Sequence, residues 1–185
     1  MDRAQRFSDL YRAQYAAVLR YASRRTDPET ARDVVADTFL VAWRRMGKVP
    51  ADPGQAGPWL FGVARRVLAN AERSQRRAGR VTARLGQQPR AGHAPDTAGV
   101  VTERAVLGRA LAGLSSSDQE ALKLVGWEEL DLAEAAQAMG CSRAAMAVRL
   151  HRARRRLERA LTAADREESA PAAVTSGRKV TQETS

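Results

Sequence analysis

The chain has 185 residues, and its 31 lysines and arginines outnumber its 21 aspartates and glutamates, for a net charge of +10. A balance this basic predicts an anionic partner and favours nucleic acid over a membrane. The single cysteine, Cys141, excludes an intrachain disulfide and a zinc knuckle. The N-terminus has no apolar run like that of a signal peptide, and no segment has the length of a membrane span. We therefore expect a cytoplasmic protein without membrane insertion, cofactor or metal.

The first two predicted elements are helices. The first helix is predicted from apolar residues that line one face: Phe7, Leu10, Tyr11, Val18, Leu19 and Ala22. A second helix is predicted to begin at Asp27-Pro28, because aspartate caps helix N-termini and proline suits the first helical position. It is predicted to end before Gly47. Its inner stripe consists of Ala31, Val34, Val35, Thr38, Ala42 and Met46.

Another face of the second helix combines acidic and large apolar side chains. Acidic residues on a helix are commonly no more than solvated surface. Large aromatic residues beside acidic groups in a basic protein favour a protein-docking surface, where aromatic residues are enriched. Both interpretations are open on spacing alone. The residues concerned are Asp33, Asp37, Phe39, Leu40 and Trp43.

A loop and a third helix follow. Residues Gly47 to Gly57 contain three glycines and two prolines, which disfavours a regular element, and a helix is predicted to open at Pro58. One face of that helix is regularly apolar and the other is basic. Arginines beside aromatic residues at a loop–helix junction suit stacking on unpaired bases, but the two aromatic residues could equally cap the core. The candidate nucleic-acid residues are Trp59, Phe61, Arg65, Arg66, Asn70, Arg73 and Arg77.

The second half of the chain repeats this organisation. Residues 81–101 lack a helical period and contain glycine and proline, so they are predicted to be a flexible linker. Helical patterning resumes near Thr102 and continues to Thr162, and residues 163–185 are polar and predicted to be disordered. The predicted fold is all-α, with two small helical domains at 1–80 and 102–162.

The stretch from Asp131 to Leu161 has the pattern of a helix-turn-helix. Asp131 and Glu134 form a capping box, and Gly140 supplies the turn. An arginine-rich second helix follows, which is typical of a DNA-reading element. A helical hairpin with a solvated basic face is the alternative. The candidate DNA-reading residues are Arg143, Ala147, Val148, His151, Arg152 and Arg155.

The sequence resembles the extracytoplasmic-function (ECF) group of bacterial RNA polymerase sigma factors over roughly residues 5–162. Three stretches carry the resemblance. ARDVVADTFLVAWRR and PWLFGVARRVLANAERSQRR resemble helices of sigma region 2, and LSSSDQEALKLVGWEELDLAEAAQAMGCSRAAMAVRLHRARRRL resembles region 4. The order and spacing of these stretches are more specific than any one of them. The resemblance implies a region 2 bundle of three to four helices and a region 4 helix-turn-helix bundle.

The resemblance also implies partners and roles. The acidic–aromatic face of the second helix would dock on the β′ clamp helices of core RNA polymerase. The loop and the third helix would capture the melted −10 strand of promoter DNA. Region 4 would meet the β flap and read the −35 duplex, and an anti-sigma factor would inhibit the chain. No catalytic activity is implied, so the chain is predicted not to be an enzyme.

Two departures from the family pattern concern DNA reading. Arg66 stands where members often have asparagine, and Ala147 and Val148 stand where polar or basic residues are frequent. Small apolar groups can meet thymine methyls, which would leave Arg143, His151 and Arg152 as polar readers.

Two other functions stay open. One is a stand-alone helix-turn-helix regulator binding duplex DNA, and the other is a nucleic-acid enzyme, for which the sequence offers only His93 and His151 and no clustered carboxylates.

Overall fold

The computed structural model describes residues 2–84 and 101–169, and every regular element in those two stretches is a helix. This confirms the predicted all-α class. No helix in the described ranges is long and apolar enough to cross a membrane. The elements are α1 (Arg3–Ser23), α2 (Pro28–Arg44), a 3₁₀ turn (Met46–Lys48), α3 (Pro53–Arg84), α4 (Val101–Ala112), α5 (Ser116–Gly126), α6 (Leu132–Met139) and α7 (Arg143–Ser169).

Helices α1, α2 and α3 pack on one another as the first domain. The predicted start of α2 is confirmed: the Asp27 carboxylate accepts hydrogen bonds from the N–H groups of Glu29 and Thr30, at 3.1 and 3.0 Å. The Thr30 N–H stabilises the charged form and lowers the pKa of Asp27 to about 2. The predicted inner stripe of α2 is buried throughout, because its spacing places it towards α1 and α3.

Helices α4 to α7 form the second domain, and its helix-turn-helix has the predicted local structure. The Asp131 side chain accepts from the N–H of Glu134, and the Glu134 carboxylate accepts from the N–H of Asp131, at 2.8 Å each. Gly140 ends α6 with φ of 66°, a left-handed conformation that favours glycine. Ser142 caps α7 by accepting from the N–H of Ala145. Met146 is fully buried where α6 and α7 meet.

Three helix boundaries differ from the predicted ones. Helix α3 begins at Pro53 and contains Pro58, because Asp52 accepts from the N–H of Gly54 at 3.0 Å and starts the helix within the predicted loop. The missing N–H of Pro58 lies near the helix start, where few intrahelical bonds are lost. Helices α3 and α7 also continue to Arg84 and Ser169, so residues 81–84 and 163–169 are helical. The rest of the predicted linker and tail lies outside the described residues.

The inner face of α1 also differs. Tyr11 was predicted to face inward but is 40% exposed, whereas Tyr21 is fully buried. The reason is tertiary: Tyr21 lies beneath the second domain, where its hydroxyl donates to Glu120 of α5 at 2.7 Å. Burial and the adjacent Glu120 carboxylate raise the pKa of Tyr21 well above its usual range, so the hydroxyl stays a proton donor.

The two domains pack directly against each other. Helix α6 lies on α3, and a Cβ added at Gly62 would come within 3.1 Å of the Ala138 carbonyl oxygen. Beside this crossing, the Arg25 guanidinium pairs with Glu120 at 3.0 Å and with Glu128 at 2.7 Å. One continuous core cluster therefore contains residues of both domains, including Leu60, Leu124 and Met146.

The capping box gives a prediction for stability. Asp131→Ala removes the acceptor for the first N–H groups of α6 and should lower the free energy of unfolding by about 1 kcal/mol. Asp131→Asn is the matched control, because asparagine caps about as well. Denaturant unfolding of the three proteins measures both effects. Equal losses for the two variants would show that charge, and not capping, is the contribution of Asp131.

Candidate polymerase and nucleic-acid interfaces

An apolar patch flanked by acidic residues covers one side of the first domain. Leu40 and Trp43 of α2 are 43% and 38% exposed, and Asp33 and Asp37 lie exposed one and two turns before them. Isolated exposed apolar residues are ordinary, but contiguous ones mark interaction sites. Two tyrosines of α1, Tyr11 and Tyr15, extend this patch. We call it the aromatic–acidic patch, and its members are Tyr11, Tyr15, Asp33, Asp37, Leu40 and Trp43.

Aromatic rings of α1 continue this patch, and sequence reasoning missed two of them. Tyr11 and Tyr15 are exposed and their ring centroids lie 5.1 Å apart. Phe7 meets Trp43 edge-on at 5.2 Å. The four-residue spacing of Phe7, Tyr11 and Tyr15 was the available signal, because it places all three on one helical face.

Phe39 does not lie on the surface where the sequence predicted it. Only 3% of the residue is exposed, and its ring packs 4.7 Å from that of Tyr11. It shares the buried side of α2 with Val35 and Thr38, which face the core. Phe39 therefore supports the aromatic–acidic patch from beneath, and Leu40 and Trp43 are the α2 apolar residues that a partner can touch.

A basic stripe runs along the exposed side of α3. Its members Arg66, Asn70, Arg73 and Arg77 follow at three- and four-residue steps and are all exposed. Partial burial, together with the charges of Arg65 and Arg45, lowers the pKa of Arg66. Arginine stays protonated near neutral pH regardless, so Arg66 remains a cation on this stripe.

Phe61 and Arg65 are turned away from this stripe. Phe61 is 6% exposed and stacks on Tyr21 with ring centroids 5.1 Å apart, so in this structure it caps the core. Trp59 is half-buried against the same core. The Arg65 guanidinium donates to the carbonyl of Met139 in α6 at 3.2 Å. The structure thus separates the candidate strand-binding residues into the exposed stripe, the half-buried Trp59, and the pair Phe61 and Arg65, which lies at or beneath the domain contact.

The outer surface of α7 holds the predicted DNA-reading residues. Arg143, His151, Arg152 and Arg155 are exposed. An open depression on this face is lined by His151, Arg152, Arg155, Arg156 and Arg159. Val148 is 50% exposed and Ala147 is half-buried. The apolar residues Met146, Leu150 and Ala153 are buried on the opposite side, which aims the basic face outward.

One residue of this basic surface is held by an ion pair. Arg156 contacts the carboxylate of Asp118, whose side chain is only 9% exposed, in the first turn of α5. The pair joins α5 to α7 and orients one arginine of the basic face. Sequence reasoning did not find Asp118, because the pairing spans 38 positions and has no local pattern.

Among the described residues, no group of three or more His, Cys, Asp or Glu side chains could hold a metal ion.

Comparison with known protein families matches both halves of the chain. Residues 10–78 match the family model described as Sigma-70 region 2, and residues 104–157 match Sigma-70, region 4. The ECF RNA polymerase sigma factor SigL of Mycobacterium tuberculosis is 31% identical over 150 residues, which cover 78% of this chain and 82% of SigL. The chain belongs to the ECF group of sigma-70 family sigma factors.

Solved structures agree with this membership. The sigma factor RpoE of Bartonella quintana, in complex with the anti-sigma factor NepR, matches with a TM-score of 0.54 and 26% identity, over 80% of this chain and 91% of RpoE. CnrH, in complex with the cytosolic domain of CnrY, matches with a TM-score of 0.58 and 27% identity, over 86% and 90%. As a sigma factor, the chain directs core RNA polymerase to promoters, and the aromatic–acidic patch and both basic faces lie within the two matched regions.

The Asp118–Arg156 pair gives a prediction for the sigma factor. Arg156→Ala leaves a nearly buried carboxylate without its partner and should cost about 1–3 kcal/mol of stability. Asp118→Ala/Arg156→Ala removes both charges and should cost less than the sum of the single variants. Denaturant unfolding of both single variants and the double variant completes the cycle. Additive losses would contradict a direct interaction between the two side chains.

Proposed function

We propose that this sigma factor binds two elements of promoter DNA while it is docked on core polymerase through the aromatic–acidic patch. The first domain docks on the β′ clamp helices, and α3 with the preceding loop captures the melted −10 strand. The second domain meets the β flap and reads the −35 duplex through α7. The observation that carries this assignment is the placement of Leu40 and Trp43, exposed beside Asp33 and Asp37 in a chain of net charge +10.

The patch suits a protein partner better than DNA. Its acidic residues would repel phosphate, whereas exposed aromatic and aliphatic side chains supply the desolvated centre of a protein interface. Asp33 and Asp37 border that centre and suit basic groups on the partner. Phe39 is buried beneath the patch, where its ring packs against the exposed Tyr11 ring and holds it in place.

The two basic faces suit two forms of DNA. On α3 the arginine stripe lies beside Trp59, and stacking of unpaired bases on aromatic rings offsets part of the cost of melting. On α7 the arginines and His151 provide phosphate contacts and polar base readers. Ala147 and Val148 of α7 suit thymine methyl groups, which makes the −35 preference partly apolar.

An inhibitory protein partner is part of the proposal. Two proteins that resemble this chain in fold are seen in complexes: RpoE with the anti-sigma factor NepR, and CnrH with the cytosolic domain of CnrY. We propose that this chain is likewise held by an anti-sigma factor that covers its polymerase-docking surface. The chain itself has no catalytic activity in this scheme, and it acts in the cytoplasm, where polymerase and promoters are.

Docking through the patch predicts a selective loss of transcription. Leu40→Ala and Trp43→Ala remove exposed apolar contacts of the kind that each cost more than about 1 kcal/mol in interfaces, so affinity for core polymerase should fall about fivefold to thirtyfold. Leu107→Ala is the matched control, since Leu107 is 37% exposed on α4. Transcripts made by core polymerase on fragments of the source genome, with their 5′ ends sequenced, measure activity and locate the promoters.

Two outcomes would contradict the proposal. If wild-type protein with core polymerase yields no promoter-dependent transcript, the proposed binding of both promoter elements is rejected. Equal losses for Leu40→Ala and Leu107→Ala would reject the patch as the docking site while leaving the DNA faces in place.

The α7 face predicts a change in salt dependence. Arg152→Ala should weaken binding of the polymerase complex to its strongest mapped promoter and reduce the slope of log affinity against log salt by about 1, because one phosphate contact is lost. Arg12→Ala is the charge-matched control, because the Arg12 side chain is 75% exposed on α1, in the other domain. Fluorescence anisotropy across a salt series measures both slopes. If the two variants change the slope equally, only net charge matters and α7 does not contact the duplex.

A further inference from the structure

An open cleft of about 340 Å³ lies where the start of α1 meets the end of α2. It is lined by Arg3 and Arg6 of α1, by Arg44 of α2, and by Met46 and Gly47 of the following 3₁₀ turn. A water molecule occupies about 30 Å³ of the liquid, so the cleft has room for a phosphate group with part of its hydration. Three arginines from two helices therefore converge on one concave surface.

Two of these arginines are oriented by backbone carbonyls. Arg6 Nη2 donates to the Val49 carbonyl at 2.7 Å. The Arg3 guanidinium donates to the Trp43 carbonyl and lies 4.6 Å from the centre of the Trp43 ring. Carbonyls at the end of a helix lack intrahelical partners, and cations are favourable there. A guanidinium has five N–H donors, so each carbonyl bond fixes the group and leaves most of its donors for another acceptor.

No carboxylate neutralises the cleft within the described chain. None of its three arginines forms an ion pair there. Asp9, one turn after Arg6, instead accepts from Gln5 at 3.0 Å and lies 3.6 Å from Arg12. Like charges gathered in one cleft repel one another, and a bound anion offsets that repulsion. Arginine forks fit the paired oxygens of a phosphate better than any other cationic side chain.

The position of the cleft relates it to the melted promoter strand. Gly47, which lines the cleft, is the first residue of the loop that is proposed to take up this strand. Positive charge also continues from here towards the basic stripe of α3. Burial lowers the pKa of Arg66 on that stripe, and the charges of Arg65 and Arg45 add to the shift, so Arg45 lies within electrostatic reach of Arg66. A strand on the loop therefore has cations available both before and after the loop in the chain.

The charge of the neighbouring patch favours DNA over polymerase as the ligand of the cleft. The cleft adjoins the aromatic–acidic patch, because Arg3 lies over the ring of Trp43. Asp33 and Asp37 of the patch suit basic groups on a protein partner. The same basic surface would be repelled by three arginines. The cleft thus has the opposite preference from the patch and suits a phosphate.

We propose that the cleft formed by Arg3, Arg6 and Arg44 binds a backbone phosphate of single-stranded promoter DNA, next to the nucleotides that the loop takes up. Arg6 and Arg44 supply charged donors, and Arg3 closes the cleft on the side of Trp43. A backbone contact positions the strand without reading its bases. The assignment rests on the proposed strand-binding role of the loop and α3.

Two variants each remove one cation from the cleft. Arg44→Gln changes an exposed side chain, whereas Arg6→Gln also loses the bond to Val49. Arg44→Gln therefore keeps the test decisive if Arg6→Gln fails to fold, which circular dichroism verifies. Arg12→Gln is the matched control, because it changes the net charge equally at a side chain that is 75% exposed on α1. Arg73→Gln, on the basic stripe, tests the strand-binding role of α3 separately.

Each full-length protein is titrated against core polymerase and then used as the saturated complex. Fluorescence anisotropy with a labelled single strand, carrying the −10 sequence of the strongest mapped promoter, gives affinity across a salt series. One phosphate contact to a single strand contributes about 0.7 to the slope of log affinity against log salt, or about fivefold in affinity per tenfold change in salt. Arg44→Gln and Arg6→Gln should each reduce the slope by about 0.7 and weaken binding about fivefold at about 0.1 M salt. Arg12→Gln should match the wild type, and core affinity should not change.

Neutral methylphosphonate linkages identify the phosphate that the cleft binds. The linkages of the strand are replaced one at a time. At one linkage, neutralisation should weaken binding of the wild-type complex about fivefold. It should have no effect with Arg44→Gln, because the two partners of one contact are not additive. If every linkage costs the same in both complexes, Arg44 contacts no phosphate and the proposal is overturned.

Other results separate failure of the cleft from failure of the strand-binding role. If the cleft variants lower core affinity but leave the strand affinity of the saturated complex unchanged, the cleft contacts polymerase and the proposal is rejected. If Arg73→Gln weakens strand binding and both cleft variants do not, the cleft is rejected and the role of α3 stands. If the wild-type complex binds the strand no more tightly than core polymerase alone, the strand-binding role fails and the cleft proposal fails with it.

Discussion

The arrangement of the described chain depends on how Arg25 is accommodated. A guanidinium buried between two domains is costly unless carboxylates and hydrogen bonds compensate for its lost hydration. Glu120 and Glu128 supply the charge, and Tyr21 supplies a ring face and orients Glu120. Because Tyr21 also stacks on Phe61, the same cluster links the ion pairs to the core of α3. The domain contact and the packing of Phe61 therefore share one residue, Tyr21.

The distribution of surfaces follows from that contact. The aromatic–acidic patch lies on α1 and α2, and the duplex-reading face lies on α7, so both lie outside the crossing of α6 on α3. Only the start of α3 is shared between a proposed DNA surface and the domain contact. Gly62 favours this sharing, because a Cβ at this position would lie only 3.1 Å from the Ala138 carbonyl oxygen of α6. A glycine inside a helix costs roughly 0.5–1 kcal/mol relative to alanine, so the close approach is obtained at the expense of local helix stability.

Local sequence rules predicted much of this molecule. The caps at Asp27 and Asp131, the left-handed Gly140 and the inner stripe of α2 depend on neighbours within four residues, and all were predicted correctly. The predicted start of α3 was wrong, because Asp52 caps a helix within a stretch whose three glycines and two prolines had predicted a loop. Tyr11 was wrongly predicted to face inward, and Phe39 was wrongly predicted to lie on the surface. Both lie at the border of an apolar stripe, where the helix that packs against them decides whether they are buried.

The sequence by itself determined the helical class, the two matched regions, the charged faces and, through its resemblance, the ECF sigma family, because all of these are properties of local pattern and order. Only the tertiary structure decided that the domains contact each other. It also decided that Tyr21, Arg25 and Arg65 belong to that contact. Pairings such as Tyr21 with Glu120 join residues 99 positions apart. No local periodicity predicts such a pairing, because it forms only when the two domains pack together.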